Sequence, residues 1–380
     1  MRRRHFAAFA PHCPICAAAG AGRPPLVLAD IRAEQGEDVI AGILHCSHPS
    51  CRHEYPIIDG IPLILPALRP LLAERGIELM LRDDLDPALE SLLGDAIGPG
   101  SWFDTLRQTV SSYAWDGWAD LDPEEAQPEP PGPGAVRRCL VRLLALAGPG
   151  EATRVLDLGC GAGRSSFDLA ATCPEALVLG IDVNLALLRL AQTAARRGHV
   201  SYPRRRLGIV YDQRRFAIDR PEAARVDLWA CDAQALPFAP GTADLVAALN
   251  LLDCVPEPPR LLAGMAAALA PGGRLLLATP YDWHTRATPL ETWIGGHSQR
   301  GPDAGAAEPF LRALLTEGAH PSSVPGLDLL GEDAAFPWHT RLHDRAVVRY
   351  ATHLLALRRR ATPSVPAPAS DVPDSRSAPG

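Results

Sequence analysis

Val155-Leu-Asp-Leu-Gly-Cys-Gly-Ala-Gly-Arg164 is a glycine-rich turn between an apolar segment and a segment with helical patterning. Its three glycines allow the backbone to turn sharply and to approach a ligand closely. The first turn of the following helix has amides without intrahelical partners, and such amides bind polar ligand groups. The stretch therefore predicts a strand, a ligand-binding loop and a helix, the first unit of a doubly wound α/β sheet.

Apolar and helical segments alternate downstream of this turn. Strands are predicted at 154–158, 177–181, 226–230, 243–249 and 274–278. They are apolar on both faces, as parallel strands covered by helices on both sides require. A helix is predicted from Ala135 to Ala147, and the segments 326–330 and 345–355 are expected to close the sheet as an edge hairpin. The prediction is a Rossmann-like α/β sheet of seven strands.

The composition of the glycine loop separates two classes of nucleotide-binding domain. A dinucleotide fingerprint requires glycine or alanine at its sixth position, where this chain has Arg164. Asp157 stands two residues before the first glycine, where it is placed to hold the ammonium of a bound amino acid. Asp182 ends the second strand, placed for ribose hydroxyls, and Asp232 follows the third, placed for an adenine amine. These positions suit an adenosyl amino acid better than a pyrophosphate.

In order and spacing, these segments resemble the motifs of class I S-adenosylmethionine (SAM) dependent methyltransferases. The matching segments are Asp157–Gly163, Asp182, Asp232-Ala with Leu236-Pro-Phe238, Asp244-Leu-Val with Asn250, and Pro271–Leu277. The resemblance covers residues 135–280. It implies a SAM site formed by Asp157, Gly159, Gly161, Gly163, Asp182, Asp232, Ala233 and Asn250. The alternative is a Rossmann-type domain whose binding site is vestigial.

Four cysteines near the start of the chain form two pairs, Cys13-x2-Cys16 and Cys46-x4-Cys51. Four thiolates on neighbouring turns form a closed tetrahedral zinc set, which is structural because no coordination position stays open. The second spacing is loose, so His48 is an alternative ligand, and His12, His45 and His53 are further histidines nearby. A ribbon that has lost its metal is the other alternative.

The segment around this cysteine set predicts a small β-rich unit. Asp59-Gly60 lies between two β-rich runs and is a hairpin signal. With Tyr55–Pro62, the unit is similar to the zinc-ribbon domain of the tRNA methyltransferase activator family. The predicted organisation is a zinc ribbon at 1–66, a helical segment with a proline-rich linker at 67–134, a methyltransferase domain at 135–360 and a disordered tail at 361–380. The helical segment carries five aromatic residues: Trp102, Phe103, Tyr113, Trp115 and Trp118.

Charge and composition limit the classes of partner. The formal net charge is -7 and all 37 basic residues are arginines. This balance gives no global attraction for nucleic acid or an anionic membrane, although Arg204–Arg206 with Arg214 and Arg215 could form a local basic patch. The N-terminus lacks the continuous apolar core of an export signal, and no window approaches the roughly 20 apolar residues of a membrane-spanning helix. We therefore expect a cytoplasmic protein with reduced cysteines.

Polar and aromatic residues follow the fourth and fifth predicted strands. They are Asn250-Leu-Leu-Asp-Cys254, Thr279-Pro-Tyr-Asp-Trp-His284 and Thr288-Pro-Leu-Glu-Thr-Trp-Ile-Gly-Gly296. Loops at this edge of the sheet would form a substrate wall, unless Trp283 and Trp293 are only packing residues. These segments, with the insertion Tyr202–Tyr211, resemble methyltransferases that act on the imidazole of mercaptohistidine, and more distantly carnosine methyltransferases. The resemblance implies that Asp253, Tyr281 and Asp282 contact the acceptor and that Asp253 or His284 removes a proton.

Three functions are consistent with these patterns. The favoured one is transfer of a methyl group to a nitrogen of a small molecule such as an imidazole or amine. The second is methylation of ribosomal or transfer RNA, because zinc ribbons precede some guanine methyltransferases. The third is a non-catalytic SAM-binding protein whose ribbon docks a protein partner.

Overall fold

The computed structural model describes residues 1–68, 93–125 and 132–361. Within them, the predicted helical segment after the ribbon is confirmed for 102–118. Residues 69–92, most of the proline-rich linker and the tail after residue 361 lie outside the described residues. No helix in the described part of the chain is both long and apolar enough to span a membrane.

Helices and strands alternate over most of the chain. The α-helices are α1 (Arg3–Phe9), α2 (Pro14–Ala18), α3 (Trp102–Trp118), α4 (Ala135–Ala147), α5 (Arg164–Thr172), α6 (Leu185–Arg197), α7 (Pro258–Ala268) and α8 (Ala307–Leu315). The strands are β1 (Leu26–Gln35), β2 (Asp38–Cys46), β3 (Glu54–Ile58), β4 (Ile61–Ile64), β5 (Arg154–Leu158), β6 (Leu177–Asp182), β7 (His199–Leu207), β8 (Val210–Ala217), β9 (Val226–Cys231), β10 (Ala243–Leu249), β11 (Leu269–Thr279), β12 (Leu327–His343) and β13 (Ala346–Arg359).

One large sheet organises the molecule. Its strand order is β1-β2-β3-β4-β9-β6-β5-β10-β11-β13-β12. Strands β9, β6, β5, β10 and β11 are mutually parallel, whereas β13 runs antiparallel between β11 and β12. These seven strands confirm the predicted Rossmann-like sheet and its edge hairpin. The carboxyl ends of the parallel strands lie at one edge, called the ligand edge below.

The cysteine-rich unit is continuous with this sheet. Asp59 and Gly60 both have positive φ, 54° and 78°, which confirms the predicted hairpin turn between β3 and β4. Strand β4 then pairs in parallel with β9, Leu63 opposite Ala230. All four residues of β4 are buried. Because this strand is apolar on both faces, joining the larger sheet stabilises it by burying both faces. The sequence analysis predicts 1–66 as a separate unit, and no sequence pattern indicates that its last strand joins the larger sheet.

Aromatic packing also holds the start of the chain against the sheet. The ring of Phe9 lies 6.4 Å from that of Trp229 and 5.8 Å from that of Phe238. The amide of His12 donates to the carbonyl of Pro237 at 2.8 Å. Each of these aromatic residues is nearly fully buried, so the first helices and the sheet share one apolar core.

Candidate functional site

The glycine loop has the backbone that its sequence predicts. Gly159, Gly161 and Gly163 have φ values of 67°, 52° and 84°, in the left-handed region that favours glycine. A Cβ on Gly163 would lie 2.6 Å from the Cβ of Ala191 in α6, so the loop also needs glycine for close packing. The loop therefore leads from β5 into α5 at the ligand edge as a tight, closely packed turn.

Asp157 lies beneath this loop and has two protein partners. Its Oδ2 accepts hydrogen bonds from the hydroxyls of Ser165 and Ser166, both at 2.6 Å. Burial raises the pKa of the carboxyl to about 6, although the two hydroxyl donors oppose the shift. The sequence-based expectation is that Asp157 holds a ligand ammonium. In the structure Oδ2 anchors the first turn of α5, which fixes the loop in place.

Asp182 links the end of β6 to the glycine loop. Its Oδ2 accepts from the Gly161 amide at 2.8 Å and its Oδ1 from the Asn184 amide at 2.8 Å. Asn184 in turn caps α6, where its side chain accepts from the amide of Ala186. The partly exposed carboxylate therefore stands at the ligand edge beside the loop. Asp232, next to the buried Ala233, ends β9 in a similar way, with its Oδ1 accepting from the amide of Gln234 at 2.8 Å.

Helix α3 covers the glycine loop from outside the sheet. The indole nitrogen of Trp118 donates to the carbonyl of Ala162 at 2.9 Å. Arg164 pairs with Asp120 just beyond the helix, with Nη1 2.6 Å from Oδ1, and its Nε donates to Asp168. The arginine that excludes a dinucleotide fingerprint therefore fastens α3 to the loop. Half-exposed Tyr113 lies on the same helix against Gly161.

Three buried polar atoms lie just after β10 and β11 without a hydrogen-bond partner among the described residues. They are Oδ1 of Asn250, Oδ1 of Asp253 and Nε1 of Trp283. Asn250 also has a positive φ of 53°. An unsatisfied buried polar atom destabilises a fold by about 1–3 kcal/mol, and strained backbone of this kind concentrates at functional sites. The two loops that the sequence assigns to a substrate wall therefore provide two acceptors and one donor for a ligand.

A hydrogen bond connects Asp253 with Asp282 in these two loops, whereas His284 makes no hydrogen bond to either of these described residues. The amide of Asp282 donates to Oδ2 of Asp253 at 2.7 Å, and Tyr350 donates its hydroxyl to Asp282 at 3.0 Å. Burial, with a smaller contribution from Asp282, raises the pKa of Asp253 to about 6. His284 is exposed and its Nδ1 accepts from the Arg286 amide in its own turn, so the structure favours Asp253 over His284 as the group facing an acceptor.

Tyr281 belongs to a network that the sequence does not reveal. Its hydroxyl lies 2.6 Å from Nδ1 of His353, and Nε2 of His353 lies 2.6 Å from Oε1 of Glu332. His353 is fully buried on β13, opposite Thr279 of β11. Trp283 stacks on Trp293 at 6.0 Å, and the Trp293 indole donates to the carbonyl of Thr288. Trp293 thus has a packing role, whereas Trp283 keeps an unpartnered ring nitrogen.

The four cysteines predicted as metal ligands come together. Their sulfur atoms all lie within 4.8 Å of one another, with 3.7 Å between Cys16 and Cys46 and 3.9 Å between Cys13 and Cys51. A tetrahedron with Zn–S bonds of about 2.3 Å has S–S edges of about 3.8 Å. His48 lies outside this set: its Nδ1 accepts from the amide of Ser50 and its own amide donates to the Cys46 sulfur.

The arginines of the inserted hairpin are engaged with acids. The hairpin is formed by β7 and β8, and three of its arginines pair as Arg204 with Glu125 and Asp344, Arg206 with Asp212 and Asp344, and Arg214 with Asp122 and Glu124. Paired guanidinium groups have less charge to offer to phosphates. The local basic patch considered from the sequence is therefore largely neutralised.

Comparisons with known proteins find methyltransferases similar to part of this chain. Residues 156–277 match the methyltransferase domain family. The chain is 32% identical over 200 residues to trans-aconitate 2-methyltransferase of Variovorax paradoxus, covering 52% of this chain and 64% of that protein. It is 28% identical to the protein of the same name from Azoarcus, covering 51% and 83%. A solved structure of Haemonchus contortus phosphoethanolamine N-methyltransferase 2 with SAM has 22% identity and a TM-score of 0.30, covering 39% of this chain and 29% of that one.

The family match and the relatives support a class I SAM-dependent methyltransferase domain within this chain. The matched segment begins in β5 and ends in β11, so it contains the glycine loop, Asp182, Asp232 and Asn250. The cysteine cluster, α3 and the outer strands β12 and β13 lie outside it.

Proposed function

We propose that this chain, which carries a class I SAM-dependent methyltransferase domain, transfers a methyl group to a nitrogen of a small molecule such as an imidazole or amine. SAM supplies the methyl group on a sulfonium centre. The observation that carries the proposal is the set of unpartnered buried atoms of Asn250, Asp253 and Trp283 in the loops that follow β10 and β11. They offer hydrogen bonds to a compact polar ligand in a place where the fold itself leaves them unsatisfied.

The described residues fit SAM. The three glycines give the loop the positive φ values of a tight turn, and Tyr113 gives an aromatic wall over Gly161. Asp182 stands at the end of β6, where it is placed to accept from ribose hydroxyls, and Asp232 at the end of β9, where it is placed to accept from the adenine amine. Asp157 supports the loop through α5, and Asn250 offers its orphaned oxygen to the cofactor or the acceptor.

The charge of the site favours a basic or neutral acceptor over a tricarboxylate. Asp182, Asp253 and Asp282 all follow parallel strands at the ligand edge. The loop after β11 has two arginines, Arg286 and Arg300, and both are exposed. A carboxylate-rich acceptor such as trans-aconitate would face like charges, and the described residues of these loops include no buried arginine to offset them. Like charges weaken binding. An imidazole or amine would instead be attracted and could donate to Asp253.

Each polar residue of the substrate wall then has a defined task. Asp253, whose Oδ2 is held by the Asp282 amide, presents Oδ1 to the acceptor N–H and orients its lone pair toward the methyl group. Asp282 is tied to Tyr350 and fixes the loop through its backbone. Tyr281 lines the same wall beside Trp283, with 6.4 Å between the ring centroids.

We also propose that Cys13, Cys16, Cys46 and Cys51 hold one structural zinc ion. The sulfur spacing supports this assignment, since it matches the edges of a zinc tetrathiolate. The ion would fasten α2 to β2 and to the turn before β3. Because the surrounding apolar residues are covered by the chain's own sheet, we propose a stabilising role for this unit rather than the docking of a partner enzyme.

The proposal is tested with tritium-labelled SAM and a panel of acceptors: histamine, L-histidine, carnosine and trans-aconitate. We expect turnover of at least one imidazole or amine and none of trans-aconitate, with an Asp253→Asn variant at least about tenfold slower. Asp303→Asn, an exposed acid after the substrate-wall segment, is the matched control and should retain activity. Turnover of trans-aconitate alone would refute the nitrogen acceptor and leave the methyltransferase assignment intact.

A further inference from the structure

A buried histidine connects the ligand edge to the outer strands of the sheet. His353 on β13 is fully buried, and its two ring nitrogens each have one partner. Nδ1 lies 2.6 Å from the hydroxyl of Tyr281, and Nε2 lies 2.6 Å from Oε1 of Glu332 on β12. Arg312 of α8 donates its Nε to the same Glu332 oxygen at 2.8 Å. The four side chains therefore form a continuous line: Tyr281, His353, Glu332, Arg312.

The partners fix which groups donate. Glu332 accepts from Arg312, so its carboxylate is ionised and can only accept from His353. Nε2 of a neutral His353 then carries the ring proton, and Nδ1 has a free lone pair. The Tyr281 hydroxyl must donate to that lone pair. The remaining lone pairs of the Tyr281 oxygen are left to accept a hydrogen bond from the cleft.

We propose that Tyr281, His353 and Glu332 form a proton relay for the methyl acceptor. The inference deepens the proposed function and depends on it. Tyr281 is the residue that touches the acceptor, whereas His353 and Glu332 act through it. The matched domain segment ends at residue 277, before both of these residues.

The relay accounts for the proton that the acceptor nitrogen loses when it is methylated. A bond forms between the acceptor nitrogen and the methyl carbon while the carbon–sulfur bond breaks and its electron pair stays on sulfur. The acceptor N–H passes its proton to the Tyr281 oxygen, and the tyrosine passes its own proton to Nδ1 of His353. The resulting imidazolium is stabilised by the adjacent Glu332 carboxylate, and the proton later returns to solvent by the reverse path.

The charges around Tyr281 are consistent with this direction of transfer. They come from α8 (Glu308 and Arg312), from β12 (Glu332) and from the turn after β10 (Asp253). Burial with these acids raises the pKa of Tyr281, so the tyrosine stays protonated and hands on a proton instead of holding a negative charge. Asp253 binds the acceptor from the other loop, which leaves proton removal to the tyrosine.

The test uses the full-length protein, histamine as the probe and three variants. Tyr281→Phe removes only the hydroxyl, and Glu332→Gln removes the charge while keeping the shape. Tyr211→Phe is the matched control, because the Tyr211 hydroxyl also donates a hydrogen bond to a side chain, that of Asp104, but lies on the inserted hairpin. We expect Tyr281→Phe to lower kcat about 100-fold and Glu332→Gln about tenfold, with the KM for SAM changed less than about threefold. The control should match the parent.

A second measurement does not depend on turnover. In protein labelled with 15N-histidine, the His353 signals are assigned by their loss in His353→Asn. The relay predicts the Nε2–H form of the ring, and Tyr281→Phe should shift the Nδ1 resonance. A full kcat in Tyr281→Phe, or an Nδ1–H ring, would overturn the relay. Failure of the parent protein to methylate any probe would instead remove the proposed function itself, so the two failures are distinguishable.

Discussion

The ring of Tyr113 lies against Gly161, with its Cδ1 3.2 Å from the place where a Cβ would stand on that glycine. This contact is made by a helix that precedes the matched domain segment, and Trp118 and Arg164 hold the helix there. About half of the tyrosine surface, 49%, remains exposed. The chain therefore supplies an aromatic cover for the glycine loop from a helix outside the matched domain segment.

We expect Tyr113→Ala to weaken SAM binding about tenfold, because an aromatic face over the cofactor contributes roughly 1 kcal/mol or more beyond simple burial. The control is Trp102→Ala, which removes another exposed aromatic side chain from the same helix. Calorimetric titration of SAM into both variants measures the difference. Equal affinities would show that Tyr113 does not contact the cofactor.

Metal analysis tests the cysteine cluster. Purified protein should contain one zinc ion per chain, and Cys16→Ser should lose the metal together with thermal stability, because zinc binding stabilises only the folded arrangement of its ligands. His48→Ala should keep the metal, since the His48 ring accepts from Ser50 and does not face the sulfurs. Cys173→Ala, at a buried cysteine elsewhere, is the control. Metal loss in His48→Ala would contradict the four-thiolate assignment.

RNA binding should be weak. The hairpin arginines are paired with acids, so a tRNA transcript should show no saturable filter retention near about 150 mM salt, where non-specific affinities are typically low. A double variant, Asp122→Asn with Asp344→Asn, removes one acid partner each from Arg204, Arg206 and Arg214 and should increase retention at low salt. Tight binding by the parent protein with a steep salt slope would favour the RNA methyltransferase alternative.

The raised pKa of the buried Asp116 carboxyl should make the stability of the fold depend on pH. Its carboxylate joins three elements, since it accepts from the Trp338 indole of β12 at 2.8 Å and from the Ala135 amide of α4 at 3.2 Å. Burial raises its pKa from 3.8 to about 7. A raised pKa in the folded state means that the contribution to stability is complete below about pH 4 and is lost as pH rises through about 7.

The free energy of unfolding of the parent protein, relative to Asp116→Asn, should therefore fall between pH 4 and 8, by on the order of 4 kcal/mol. Denaturant titrations at several pH values measure this difference. A constant difference across the range would mean that Asp116 stays ionised in the folded protein.

Sequence patterns predict the central sheet well because each strand there is determined locally. Helix α4 has its predicted bounds, Ala135–Ala147, and strands β5, β6, β9, β10 and β11 contain the five predicted apolar runs. The hairpin of β7 and β8 is not among the predicted strands. Asp59-Gly60 forms its turn for the same local reason. The cysteine set also comes together as its spacing suggests, and the structure separates Cys51 from the alternative ligand His48.

Long-range relationships account for what the sequence does not reveal. His353 lies 72 residues from Tyr281 and sits in an apolar strand, where a histidine gives no pattern of its own. The pairing of β4 with β9 depends on the edge that the large sheet leaves open, which no local signal encodes. The hydrogen bonds from Ser165 and Ser166 to Asp157 likewise depend on where α5 begins. The sequence therefore predicts an aspartate at this place but not its partners.

The most direct test of the central claim is calorimetric titration of SAM into the purified protein and into an Asp182→Ala variant. Asp244→Asn serves as the matched control, because Asp244 lies at the opposite end of its strand and binds the Thr153 amide. We predict saturable binding by the parent protein and the control, and a loss of at least about tenfold in affinity for Asp182→Ala. Folded parent protein that binds no SAM would contradict the account.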